Sequence, residues 1–218
     1  MTNYNLEVTS VLPLSKNKPR LVVVLCHGYG GDGKDISSLA IGWRRFLPDA
    51  VFLCPNAPEI CDVNPQGYQW FDLSSEKEEI IFEKSLVAEE KLNIFLDQVL
   101  NNHQLETKNL ALVGFSQGCM IIIQTALKRK DQINCLLGYS GKIISKRHLS
   151  DKIISKPKIF LMHGDKDDIV SPSFLLEAKE FLAGYDIKIR TKLFKNCQHS
   201  ISVKGSSLGL EYLRKNLL

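Results

Sequence analysis

Residues 114–118 read Gly-Phe-Ser-Gln-Gly, a serine held between two glycines at GxSxG spacing. A short apolar run, Leu110–Val113 (LALV), precedes them, and a helical segment, Gln117–Lys128, follows. Five residues alone are a weak pattern. A strand, GxSxG and a helix in succession is a much stronger one, because the chemistry demands that setting. The turn must be tight enough to hold the serine hydroxyl out at the C-terminal end of the strand. Side chains at 114 and 118 would collide with the neighbouring strand and helix. A helix starting behind the serine aims its positive end at negative charge developing on an attacked carbonyl. The chemistry implied is nucleophilic attack by Ser116 on an acyl carbon. A phosphate loop at this turn would need Gly-Lys-Ser/Thr or GxGxxG, and residues 114–118 carry neither.

A serine hydroxyl is too weak an acid to attack unaided, so it needs a base, and the base needs a carboxylate to orient it. On a strand–elbow–helix scaffold the order along the chain is serine, acid, histidine. Of the five histidines, His27 and His103 precede Ser116, and His148 and His163 precede the candidate acids. His199 remains, in the loop Lys195–Ser200 (KNCQHS) between a strand and the last helix. The acid is expected after the strand Ile159–Met162, where Asp165, Asp167 and Asp168 compete. Aspartate is also a common turn residue, so spacing does not choose among them. The oxyanion needs two main-chain N–H donors. Gln117, next to the nucleophile, supplies one. The glycine-rich loop Cys26–Gly33 is the expected source of the other, with Tyr29 foremost.

The elements that must carry these residues are legible as alternating apolar patterns. Leu21–Leu25, Ala50–Leu53, Leu110–Val113, Asn134–Leu137 and Ile159–Met162 are short continuous apolar runs, as in parallel strands covered on both faces. Ile187–Phe194 alternates and reads as a strand near the sheet edge. Leu92, Phe95, Leu96, Val99 and Leu100 form one helical stripe. Gln117–Lys128, Ser173–Ala183 and Ser206–Leu217, with Leu210, Leu213 and Leu217 on one face, complete the helices. Strand alternating with helix predicts an α/β fold: a three-layer sandwich, its central sheet mostly parallel and its helices on both faces. No linker divides the 218 residues, which read as one domain, 1–218. Pro55–Ser85 fits neither pattern and reads as a long loop that contributes to substrate binding.

Composition narrows the function classes. Hydrophobic residues at 44% and charged residues at 24% are those of an ordinary globular chain. A net charge of +4 without a basic block argues against nucleic acid and is compatible with peripheral contact with an anionic membrane surface. The six cysteines form no CxxC pair and several sit in apolar runs, which predicts reduced thiols, no structural metal and a cytoplasmic setting. No signal-peptide pattern opens the sequence. Composition does not decide between monomer and homodimer.

Six pieces together resemble the phospholipase/carboxylesterase branch of the α/β hydrolases, which includes the acyl-protein thioesterases and small bacterial carboxylesterases. They are LCHGYGGDG (25–33), CPNAP (54–58), WFDL (70–73), VGFSQG (113–118), MHGDKDDIVSP (162–172) and QHS (198–200), in the family's order over most of the chain. The resemblance implies a cofactor-free serine carboxylesterase acting on carboxylic esters or thioesters, of small acyl ester, lysophospholipid or acyl-protein type. It implies Asp167 as the acid, two residues beyond the Asp of His-Gly-Asp, beside Ser116 and His199. It implies Tyr29 and Gln117 as oxyanion donors, and Trp70 and Phe71 beside the substrate. Two positions depart from the pattern: Asp168 stands where proline is usual, which keeps it in contention, and Cys119 where a small residue is usual. Competing readings are a lipase or peptidase on the same fold and a binding protein that has lost catalysis. A chain this short leaves little room for the cap domain of a peptidase.

Overall fold

The computed structural model describes residues 3–187 and 189–218. Its main sheet has seven strands: β1 (Val8–Val11), β2 (Leu21–Cys26), β3 (Ala50–Pro55), then, beyond a small separate hairpin of β4 (Glu59–Cys61) and β5 (Asn64–Gln69), β6 (Leu110–Phe115), β7 (Cys135–Tyr139), β8 (Lys158–Gly164) and β9 (Ile189–Phe194). The order across the sheet is β1-β3-β2-β6-β7-β8-β9. Only β1 runs antiparallel; every other pairing in this sheet is parallel. The order reverses direction about β2, and β2 and β6 are neighbours in mid-sheet. Loops leaving their C-terminal ends therefore meet, which is where open α/β sheets place their ligands.

The continuous apolar runs are explained by two cores, one on each face. Val22, Val24 and Cys26 of β2 join one core, and Leu21, Val23 and Leu25 join the other. Strands β6 and β8 divide the same way, with Leu110 and Leu112 opposed to Ala111 and Val113, and Ile159 and Leu161 opposed to Phe160 and Met162. A period of two with both faces covered leaves no polar position in the strand. Each fully buried aliphatic side chain contributes about 1.5–3 kcal/mol. The first core is closed by α2 (Glu78–His103), α3 (Gln117–Lys128) and α5 (Ser173–Ala183); the second by α1 (Gly33–Trp43) and α6 (Val203–Leu217). A short helix, α4 (Lys146–Ser150), lies between β7 and β8. The sheet is thus covered by helices on both faces. Helix α3 is buried along almost its whole length, as its apolar start implies.

Three expectations need correction. Pro55–Ser85 is not one long loop: it contains the hairpin β4–β5 and the first two turns of α2. The hairpin is exposed along much of its length and contains Pro65 and Gly67, so it lacks the apolar alternation that marks a strand. Helix α2 begins after Lys77, whose side chain makes no capping bond, so the usual start signal is missing; Glu78 and Glu79 favour the helix start through charge alone. The last helix starts at Val203 rather than Ser206, with Ser202 as its cap accepting from Gly205 N–H. The edge strand begins at Ile189, Ile187 lies outside it, and Lys188 lies outside the described residues, as do Met1 and Thr2.

Candidate active site

Ser116 stands between β6 and α3 with φ 53° and ψ −118°, a backbone that non-glycine residues rarely adopt. The strain is held by the surroundings. Ser116 N–H donates to Tyr139 O of β7 at 2.8 Å. Both flanking glycines are sterically required. A Cβ on Gly114 would lie 2.5 Å from Gly118 O and 2.6 Å from Cys119 N in α3, and one on Gly118 would run into Cys26 O of β2 and lie 2.5 Å from His27 O. The collisions that the sequence implies are thus with named main-chain atoms.

The Ser116 hydroxyl Oγ is 2.9 Å from His199 Nε2, and His199 Nδ1 is 2.8 and 3.0 Å from the two oxygens of Asp167. A carboxylate only accepts, so the Nδ1 proton faces Asp167 and the free lone pair of Nε2 faces Ser116. Residues 83 and 32 positions apart in sequence meet because the loops after β6, β8 and β9 leave the sheet at one edge. Of the three aspartates, Asp167 alone contacts His199. Asp168 is exposed, and Asp165 lies outside this chain of bonds. The Asp167 side chain is fully buried. Burial alone would push its pKa up, but the N–H groups of Val170 (2.8 Å) and Ile169 (3.1 Å) donate to Oδ1, and with His199 they hold it below the ordinary value. The ring of Phe115 packs on His199 at 4.9 Å between centroids.

The second expected oxyanion donor is on a loop that the rest of the molecule braces. Gly30 N–H donates to Tyr68 O at 2.9 Å, and Tyr68 N–H to Gly31 O at 2.8 Å, so the hairpin pairs with the loop as an extra strand would. His27 donates from Nδ1 to Gly28 O and accepts at Nε2 from Ala57 N–H at 3.0 Å. That arrangement requires a neutral ring, and burial lowers the pKa of His27 from the ordinary 6.5. Residues 28–33 also happen to spell GxGxxG between β2 and α1, a spacing used in dinucleotide-binding turns. The Gly30 and Gly31 amides that a diphosphate would need are already bonded, to Tyr68 O and Gly28 O. Tyr29, whose N–H is the expected oxyanion donor, directly precedes this committed pair.

Trp70 and Phe71, expected beside the substrate, are both fully buried, and neither lines the cleft beside Phe115 and His199. Trp70 Nε1–H donates to His27 O at 3.0 Å and Trp70 N–H to Gln117 Oε1 at 2.8 Å, while Gln117 Nε2–H donates to Phe71 O at 2.6 Å. They tie together the two segments that carry the expected oxyanion donors. The cleft, about 450 Å³, is lined by Gly28, Tyr29, Phe115, His199 and Ile201, and by Asp35, Ile36 and Leu39 of α1. Sequence reasoning passed over α1, although two signals were there: Asp32 caps it by accepting from Asp35 N–H at 2.7 Å, and Ile36, Ala40 and Trp43 share a face. The six cysteines are buried and unpaired, and Cys119 fits against Gly138 and Gly141. Among the described residues no group of three or more His, Cys, Asp or Glu could hold a metal ion, and no helix is long and apolar enough to cross a membrane.

A model of the phospholipase/carboxylesterase family matches residues 9–217. Esterase YpfH of Escherichia coli K12 is 21% identical over 204 residues, covering 92% of this chain and 85% of its own length. Acyl-protein thioesterase 1 of Aspergillus fumigatus is 28% identical over 182 residues, covering 73% and 72%. Among solved structures, esterase PE8 superposes with a TM-score of 0.93 at 33% identity, covering 97% of this chain and 99% of its own. Arabidopsis thaliana SOBER1 superposes with a TM-score of 0.81 at 21% identity, covering 91% and 100%, a likeness of fold.

Proposed function

Because the chain belongs to the phospholipase/carboxylesterase family and is a carboxylic ester hydrolase, we propose that Ser116, His199 and Asp167 are its nucleophile, base and orienting acid. The observation that carries this reading is the unbroken bond chain from Ser116 Oγ through His199 to Asp167, set on a strained elbow. As Ser116 Oγ attacks the acyl carbon, His199 Nε2 takes its proton. Asp167 holds the ring in the tautomer that can accept, and offsets the charge of the imidazolium. The N–H groups of Tyr29 and Gln117 bond the oxyanion; each such donor is worth on the order of 10²–10³ in kcat. His199 then protonates the departing alcohol or thiol. Water, deprotonated by the same ring, attacks the acyl-enzyme and frees the acid. No step calls for a cofactor.

The cleft between Tyr29, Phe115, Ile201 and α1 is where the substrate chain is proposed to lie, its walls largely apolar. We read residues 3–218 as a single domain, since both cores share one sheet. Burial pushes the thiols of Cys54, Cys119 and Cys135 up to about 12, which keeps them protonated and unreactive; six unpaired cysteines suit a reducing, cytoplasmic setting. The +4 charge supports only weak, salt-screened contact with an anionic membrane surface. The experiment is a series of initial rates on p-nitrophenyl esters and acyl thioesters of rising chain length. The reading expects turnover of both classes with one preferred length; inactivity on all of them contradicts it.

A further inference from the structure

His163 is the penultimate residue of β8, its side chain buried next to the proposed acid. Its Nε2 is 2.8 Å from Val170 O and 3.1 Å from Asp167 Oδ2. Val170 O only accepts, so Nε2 carries the proton and donates to it, with the Asp167 carboxylate in contact beside that bond. Val170 in turn gives its N–H to Asp167 Oδ1 at 2.8 Å. The result is a relay: His163 holds Val170 O, and Val170 N–H holds Asp167 Oδ1.

Asp167 Oδ2 is the oxygen nearer His199 Nδ1, at 2.8 Å. The carboxylate therefore stands between two imidazoles, one exposed to the cleft and one in the core. The Val170 amide keeps its place on Oδ1 only while the turn 167–170 is held, and His163, anchored in β8, holds that turn through Val170 O. A buried N–H with no acceptor is costly, so His163 has no equally good alternative to this arrangement.

We propose that His163 is a positioning residue for the triad acid, fixing the turn 167–170 so that Val170 N–H stays on Asp167 Oδ1 and Oδ2 faces His199. This rests on the reading of Asp167 as the acid. The mechanism outlined above uses His163 for nothing, and it never touches substrate. Its effect reaches the reaction through Asp167 and then His199, so its loss lowers kcat and leaves KM alone.

The test compares His163→Leu with His163→Gln on a p-nitrophenyl ester, with Asp167→Asn alongside. Glutamine carries an N–H donor the same number of bonds from Cβ as Nε2; leucine carries none. His163→Leu is expected to lower kcat about 10-fold, since losing the bond to Val170 O loosens one of the donors that hold Asp167. KM should stay within about twofold, and the low-field proton resonance of His199 Nδ1–H should shift or vanish. His163→Gln should recover most of kcat and that resonance. Equal loss in both variants, or a leucine variant that is folded and fully active, overturns the inference. Should the leucine variant fail to fold, nitrogen NMR of the unaltered protein decides, since a His163 protonated at Nδ1 rather than Nε2 contradicts it. If Asp167→Asn is itself active, the triad reading falls and the inference with it. If Asp167→Asn is inactive while His163→Leu is normal, the inference alone falls.

Discussion

Replacing Asp167 by Asn exchanges one oxygen for an NH₂ group and reverses one hydrogen bond. The amide oxygen keeps the place of Oδ1, where Ile169 N–H and Val170 N–H donate at 3.1 and 2.8 Å. The NH₂ group must then take the place of Oδ2, facing His199 Nδ1 at 2.8 Å. Two donors cannot bond, so His199 turns to its other tautomer, with Nδ1 accepting and Nε2 protonated. The nitrogen 2.9 Å from Ser116 Oγ then donates to the serine instead of taking its proton. The base is lost while the geometry stays. On the serine-protease template, the same change costs about 10⁴ in kcat, or roughly 5.5 kcal/mol of transition-state stabilisation. The assay is kcat on a p-nitrophenyl ester, with circular dichroism to confirm folding. Asp168→Asn is the control, and its activity should be unchanged because that side chain is exposed. A folded Asp167→Asn variant within tenfold of the parent would refute the reasoning, and a large loss in Asp168→Asn would move the acid by one residue.

Other consequences follow from the same contacts. Gly118→Ala puts a Cβ into Cys26 O and His27 O, main-chain atoms that cannot swing aside. It should destabilise the fold by about 3 kcal/mol or more, read as a lowered urea midpoint. Trp70→Phe removes the N–H that holds His27 O, and the ring does not line the cleft. It should cost about 1–3 kcal/mol of stability and lower kcat with KM unchanged; a rise in KM alone would restore Trp70 to substrate contact. Burial holds the His27 pKa below the ordinary 6.5, so the unfolded chain binds a proton below that pH that the folded state refuses. Stability should therefore fall as pH drops from about 7 to about 5.5, and the slope should shrink in His27→Gln. Burial lowers His103 too and adds to the slope; Asp167, held below 3.8, matters only at lower pH.

The central strands, the fully buried α3 and the serine elbow were legible because each writes its constraint locally. A two-faced strand must be apolar throughout, and a tight elbow must have glycine where Gly114 and Gly118 stand. What escaped was structure held by distant partners. The hairpin Glu59–Gln69 is stabilised by Tyr68 bonding to Gly30 and Gly31, not by its own pattern. Trp70 and Phe71 are placed beside the substrate by the family resemblance alone; their main-chain and ring bonds to His27 and Gln117 become visible only in three dimensions. His163 was set aside by chain order, which says nothing of a residue acting behind the acid. Spacing alone could not choose among Asp165, Asp167 and Asp168. The family resemblance favoured Asp167, and the contact with His199 agrees with it.

Ser116 as the nucleophile is open to a direct test by covalent labelling. The parent protein and Ser116→Ala are each treated with a fluorophosphonate probe, digested and read by mass spectrometry, and kcat is measured on a p-nitrophenyl ester. The account predicts one adduct, on the peptide carrying Ser116, that is absent from Ser116→Ala, with kcat down by about 10⁴–10⁶. An adduct on another residue, or a Ser116→Ala variant that still turns over at the parental rate, would contradict it.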